Sequence, residues 1–182
     1  MNKFLNLIKK FLIIKKIFKL PNKKSILIFD STNNHVLKEF FDHDKIEILE
    51  NRGNTINVPT LLISLFNFSN LRQSYIDNYI KLVRPKFIFT LIDNNLEFYL
   101  LKCRHPKIKI ILLQNGVRSY YYDIFEKLDN LDKNIKNQIS VDFILSFGNI
   151  IGNHYRKYLL GKVIPIGSIK NNKIDNKGTK KI

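Results

Sequence analysis

Six short apolar runs punctuate the chain, at residues 25–29, 45–50, 86–92, 109–113, 141–145 and 162–165. They read as continuous hydrophobic stretches rather than in-and-out alternations, the mark of strands buried on both faces. Helical spacing fills the intervals, over 34–41, 58–66, 74–84, 96–103, 120–128 and 151–160. The clearest case is Tyr75, Ile76, Tyr79, Ile80 and Val83, closed by Pro85. Residues 129–137 are polar and read as a loop or a short helix. Strand and helix therefore alternate. The pattern predicts an α/β fold, a single Rossmann-like open parallel sheet with helices on both faces.

The two ends differ from this body. Residues 1–20 are apolar and basic, and their longest unbroken apolar run is Phe11-Leu12-Ile13-Ile14. That is too short to span a bilayer, and no secretory cleavage pattern follows it. On a helical wheel Phe4, Leu7, Ile8, Phe11, Ile14 and Phe18 share one face, with Lys3, Asn6, Lys9, Lys10 and Lys16 opposite. Ile13, Lys15, Ile17 and Lys19 blur that division. The expected organisation is an amphipathic helix over 1–22, an α/β domain over 23–169, and a disordered polar tail over 170–182. The helix either lies on an anionic membrane surface or packs against its own domain.

Right-handed crossovers bring every strand's carboxyl end to one rim, where open α/β sheets bind ligands. That rim would carry Asp30, Ser31, Arg52, Gly53, Asp93, Asn94, Gln114, Asn115, Gly116, Arg118, Ser146, Gly148, Gly167 and Ser168. Nearly all are small, polar or charged. Gly116 would permit a left-handed backbone or close ligand approach, with amides of a following helix and Arg118 clamping a phosphate or carboxylate. A plain turn is the alternative. Asp93-Asn94-Asn95 would hold sugar hydroxyls, with Asp93 accepting a proton; equally, Asp93 or Asn94 would cap the next helix. Asp30 is a cap or a base, and Arg52-Gly53 an anion contact or an exposed turn. His154, read near the rim, is a weak acid/base candidate. Tyr120, Tyr121 and Tyr122 would stack on a sugar or join the core.

Several chemistries lack their signatures. No Gly-rich dinucleotide fingerprint, phosphate-loop motif or Gly-x-Ser-x-Gly turn occurs. The four histidines are scattered, so neither a metal nor a cofactor is expected. Cys103 is the single cysteine, which excludes an internal disulfide and suggests a small core residue in a reducing compartment.

The net charge of +16 invites nucleic acid or an anionic membrane as partner. No nucleic-acid-binding signature accompanies it. The chain also has no Ala and no Trp and is crowded with Lys, Asn and Ile, a coding bias that by itself raises the charge.

The succession Ile-Phe-Asp-Ser-Thr-Asn (28–33), Asn-Arg-Gly (51–53), Phe-Thr-Leu-Ile-Asp-Asn-Asn (89–95), Leu-Gln-Asn-Gly-Val-Arg (113–118), Ser-Phe-Gly (146–148) and Pro-Ile-Gly-Ser-Ile-Lys-Asn-Asn (165–172) resembles bacterial surface carbohydrate biosynthesis proteins. These are transferases of lipopolysaccharide or capsule assembly. The resemblance implies the amino-terminal, acceptor-side half of a two-domain glycosyltransferase of the GT-B type. It implies a sugar or glycolipid acceptor at the rim residues, and a nucleotide-sugar donor only where a second domain is supplied. It also implies a cytoplasmic location, peripheral on the inner face of the membrane. Family members continue past the Gly-Ser-x-x-Asn junction into that second domain. The expectations are a truncated or split enzyme, a non-catalytic scaffold remnant, or a protein binding its ligand alone; charge-driven nucleic-acid binding is a third function class.

Overall fold

The computed structural model describes residues 13–50, 52, 54–66 and 70–171. The chain runs β1 (Lys15–Ile17), β2 (Ile26–Phe29), α1 (Asn34–Lys38), a 3-10 turn (His43–Lys45), β3 (Ile46–Leu49), β4 (Thr55–Asn57), α2 (Val58–Ser64), α3 (Leu71–Val83) and β5 (Phe87–Thr90). It continues through α4 (Leu96–Tyr99), α5 (Leu101–Arg104), β6 (Lys109–Leu113), α6 (Ile124–Asp129), α7 (Lys133–Lys136), β7 (Ser140–Ser146), α8 (Asn149–Tyr155) and β8 (Leu160–Pro165). All six expected strands form, in one parallel sheet of order β3-β2-β5-β6-β7-β8. The Rossmann-like reading is correct.

Handedness explains how the helices are distributed. The crossover from β2 to β3 moves one way along the sheet, and every later crossover moves the other way. Right-handed connections therefore put α1 on one face and the later helices on the opposite face. One core joins Leu27, Phe29, Ile88, Ile110 and Leu112 to residues of α3, α4, α5, α6 and α8. The other joins Ile26, Ile28, Ile46, Ile111 and Leu113 to Val36 and Leu37 of α1. Alternate residues of the apolar runs thus feed opposite faces, as buried strands must.

The amino-terminal expectation needs correction. Lys15–Ile17 is extended and pairs in parallel with Thr55–Asn57, so no helix runs through to residue 22. Lys15 and Ile17, two of the residues that blurred the helical wheel, both lie in this strand, and the β-branched Ile17 favours an extended chain. The rest of that expectation, residues 1–12, lies outside the described residues, as does the tail over 172–182. Cys103 is exposed on α5 rather than buried, because that single turn buries Leu101 instead.

The sheet's order reverses at β2, which pairs with β3 on one side and β5 on the other. This switch point is where ligands of such sheets bind. Thr90 staples it: its hydroxyl donates to the Phe29 carbonyl at 2.9 Å and accepts from the Ile92 amide at 3.0 Å.

Candidate functional site

The carboxyl ends of β2, β5, β6 and β7 meet on one rim, and the polar residues that follow them form two different constructions. The first centres on Asp93, which is fully buried. Its Oδ2 accepts from Arg118 Nε at 2.9 Å, Tyr155 Oη at 2.8 Å and the Asn115 amide at 3.4 Å. Its Oδ1 accepts from Arg118 Nη2, completing a two-pronged ion pair. The Asp93 carbonyl accepts from Tyr99 Oη. Burial, with the Asp93 charge next, pushes the Tyr155 hydroxyl far above its usual range, and burial does the same to Tyr99. Both therefore remain hydrogen-bond donors. A substrate hydroxyl can reach Asp93 only by displacing one of these groups, which is poor geometry for a general base.

Arg118 is similarly occupied. Its fork faces Asp93, and Nη1 reaches both Asp123 oxygens at 3.4 Å. Burial lowers its pKa, but hydrogen bonding and charge from Asp93 outweigh that and hold the guanidinium more firmly protonated than usual. Gly116 is not left-handed; among the described residues the positive-φ glycine is Gly167. A Cβ at Gly116 would meet open space. No helix starts there either, since α6 begins at Ile124 under an Asp123 cap. The expected amide cradle is absent because residues 114–118 are held by side chains instead. Gln114 Nε2 donates to the Gly116 carbonyl at 2.9 Å, and its Oε1 accepts from the Phe147 amide at 2.8 Å. Ser146 Oγ is buried and donates to the Gly148 carbonyl at 3.0 Å.

The second construction lies over the switch point. A cavity of about 310 Å³ is lined by Arg52, Arg72 and Lys127, by Asn94 and Asn95, and by Ile92, Leu96, Ile124, Leu128 and Leu131. Its charged lining is three cations and no carboxylate. Asn95, rather than Asp93 or Asn94, caps α4, accepting from the Glu97 amide at 3.0 Å. Asn94 is left exposed. Beside the cavity, Asp30 is 2% exposed and has φ 80°, a left-handed conformation costing a non-glycine residue about 1–3 kcal/mol. Its Oδ1 accepts from the Thr32 amide at 3.0 Å and from Thr32 Oγ1 at 2.9 Å. Its Oδ2 lies 3.0 Å from Arg52 Nε, yet that N–H is not aimed at it and no hydrogen bond forms. The contact orients Arg52 by charge while leaving its donors for a ligand.

The rim therefore unites Asp30, Asp93, Asn94, Gln114, Asn115, Arg118, Ser146 and Gly148, as the strand pattern required. Of the expected residues Arg52, Asn94 and Asn95 face the cavity, and Gly53 lies outside the described residues. Arg72 and Lys127 were missed. Lys127 stands between Ile124 and Leu128 on a helix the sequence did foretell. His154 falls in the last turn of α8, away from the rim, packed at a tilt of 55° against Phe125 with ring centroids 4.3 Å apart. Tyr120, Tyr121 and Tyr122 are all exposed. Among the described residues, no group of acidic, histidine or cysteine side chains is placed to hold a metal, and no helix is long and apolar enough to cross a membrane.

A family model described as "putative O-antigen biosynthesis protein" matches residues 111–182, less than half of the chain. The match runs from within β6 through β8, with the 114–118 segment and the α6 wall of the cavity, but takes in neither Arg52 nor Arg72. It supports a part for this chain in surface-polysaccharide biosynthesis. No curated protein and no solved structure matches the chain.

Proposed function

We propose that this chain is a glycosyltransferase-like, acceptor-side domain of surface-polysaccharide assembly that binds a phosphorylated sugar in the cavity over the switch point. The observation that carries the reading is the lining: Arg52, Arg72 and Lys127 converge with two asparagines and no carboxylate. Three cations set against the single carboxylate of Asp30, which pairs with Arg52 from outside the cavity, favour an anion, and asparagine amides suit sugar hydroxyls. Ile92, Leu96 and Ile124 give the ring an apolar floor. On this reading a nucleotide-sugar donor belongs to a second domain, and the place of work is the inner face of the cytoplasmic membrane. Asp93 then holds the rim together rather than taking a proton.

The same full engagement of Asp93 favours a second reading, a binding module with no chemistry of its own. Calorimetric titration with a hexose 1-phosphate and with the unphosphorylated hexose tests the main reading. Saturable heats for the ester alone, weakening as salt is raised, are expected. Equal affinity for both sugars would overturn it. Sugar transfer in the presence of a supplied donor domain separates the two readings.

A further inference from the structure

The cationic cavity has a larger neighbour. A cleft of about 740 Å³ shares Arg52 and Arg72 with it and is otherwise walled by Ile14, Glu50, Thr55, Ile56, Leu61, Leu71 and Tyr75. Its walls are built by elements outside the main sheet. The β1–β4 pair supplies Ile56, and α2 and α3 supply the leucines. Asn57 fixes this arrangement. Its Oδ1 accepts from the Thr60 amide at 3.0 Å, its Nδ2 donates to the Lys19 carbonyl at 2.8 Å, and its own amide donates to Tyr75 Oη at 2.9 Å.

We propose that the two pockets hold one amphiphile, a phosphate ester at the Arg52–Arg72 pair with a hydrocarbon chain in the apolar cleft. The proposal rests on the phosphate-ester reading above and extends it to a second site. Three observations carry it. The two arginines stand at the junction of a polar and an apolar space, as the head of such a ligand requires. Glu50 Oε2 is buried in the cleft wall with no hydrogen-bond partner among the described residues, an acceptor placed for a hydroxyl of the headgroup. Large apolar side chains stand exposed beside the cleft's own wall residues: Ile13, Phe18 and Leu20 along the β1 segment, and Leu62, Ile63 and Phe66 along α2 and its end. Such an apron suits delivery of a hydrocarbon chain from a lipid surface.

Titration with a series of alkyl phosphates from ethyl to octyl tests this. Affinity should rise up to about fourfold per added methylene (about 0.8 kcal/mol) until the cleft is full. Arg72→Gln should weaken every member by a similar factor of about ten, whereas Leu61→Asn should flatten the dependence on length. A flat series on the unaltered chain would overturn the proposal, whether or not Leu61→Asn folds. If the series is flat while a hexose 1-phosphate still binds through Arg72, the amphiphile falls and the sugar-phosphate reading stands. If no phosphate ester binds, both fall. Sedimentation with phosphatidylcholine vesicles, with and without a long-chain alkyl phosphate, identifies the source. Pelleting only with the doped vesicles marks a membrane-borne ligand, and a rising series without pelleting marks a free ester. Both outcomes support the shared site.

Discussion

The rim holds two clusters of charge that solve opposite problems. Around Asp93 every group has a partner: a buried carboxylate meets a two-pronged guanidinium, a tyrosine hydroxyl and a backbone amide. Around the neighbouring cavity, Arg72 and Lys127 are exposed and Arg52 is half-exposed, and no acid lines the space. A completed network resists rearrangement, because breaking a buried pair strands a charge in low dielectric. A cluster of three cations facing one carboxylate, that of Asp30 beside Arg52, keeps an excess of positive charge that is solvated and ready to exchange water for an anion. Polar residues at strand ends are therefore not equivalent: some close the rim and some open it.

The largest expected effect breaks the closed cluster. Asp93→Asn leaves Arg118 facing a neutral amide in a buried setting and should cost about 3–5 kcal/mol, read from the denaturant midpoint. A loss within about 0.5 kcal/mol would mean that Asp93 is not structural, and would reopen its candidacy as a base. Next comes the wall behind it. A Cβ at Gly152 would stand 2.4 Å from Val163 Cγ1 and 2.7 Å from Ser146 Oγ, so Gly152→Ala should cost about 1–3 kcal/mol through overpacking.

Arg72→Gln probes the open cluster. Stability should stay within about 0.5 kcal/mol while affinity for a hexose 1-phosphate falls about tenfold. Destabilisation as large as that of Asp93→Asn would erase the distinction between the clusters. The smallest effect lies toward the amino-terminal ends of the strands, away from the rim, where Asp142 sits near the start of β7. Burial raises the pKa of Asp142, but hydrogen bonds from Lys102, the Ile110 amide and Lys109 outweigh it and hold the carboxyl below its usual range. The depressed folded pKa gives stability that is present above the unfolded value, about 3.9, and lost as pH falls through the folded one. Asp142→Asn should therefore shallow the acid limb of a stability–pH curve below about pH 4 and leave ester binding unchanged.

The contrast also separates what the sequence could carry from what it could not. The main strands were legible because a strand buried on both faces must be apolar along its length. Residues 109–113 show this most plainly. β1 and β4 were not legible, since three residues such as Thr55-Ile56-Asn57 hold no period. Asp93 stood out as a charge directly after an apolar run. The partner that occupies it, Tyr155, is 62 residues away and comes near only when β7 and α8 are in place. Arg72 and Lys127 were hidden by abundance. In a chain with 31 lysines and arginines, one more cation on a helix carries no local signal. Gly116 misled because Asn-Gly commonly marks a left-handed turn, whereas here Gln114 shapes that segment through its side chain.

The most direct test is amide chemical-shift mapping of the full chain during titration with a hexose 1-phosphate. Perturbations should concentrate at Asn94, Asn95, Leu96 and Lys127 around the cavity, with Gln114, Asn115, Phe147 and Gly148 nearly still. Shifts centred on the 114–118 segment, with none at Asn94 or Lys127, would contradict the account and return the ligand to the Asp93–Arg118 cluster.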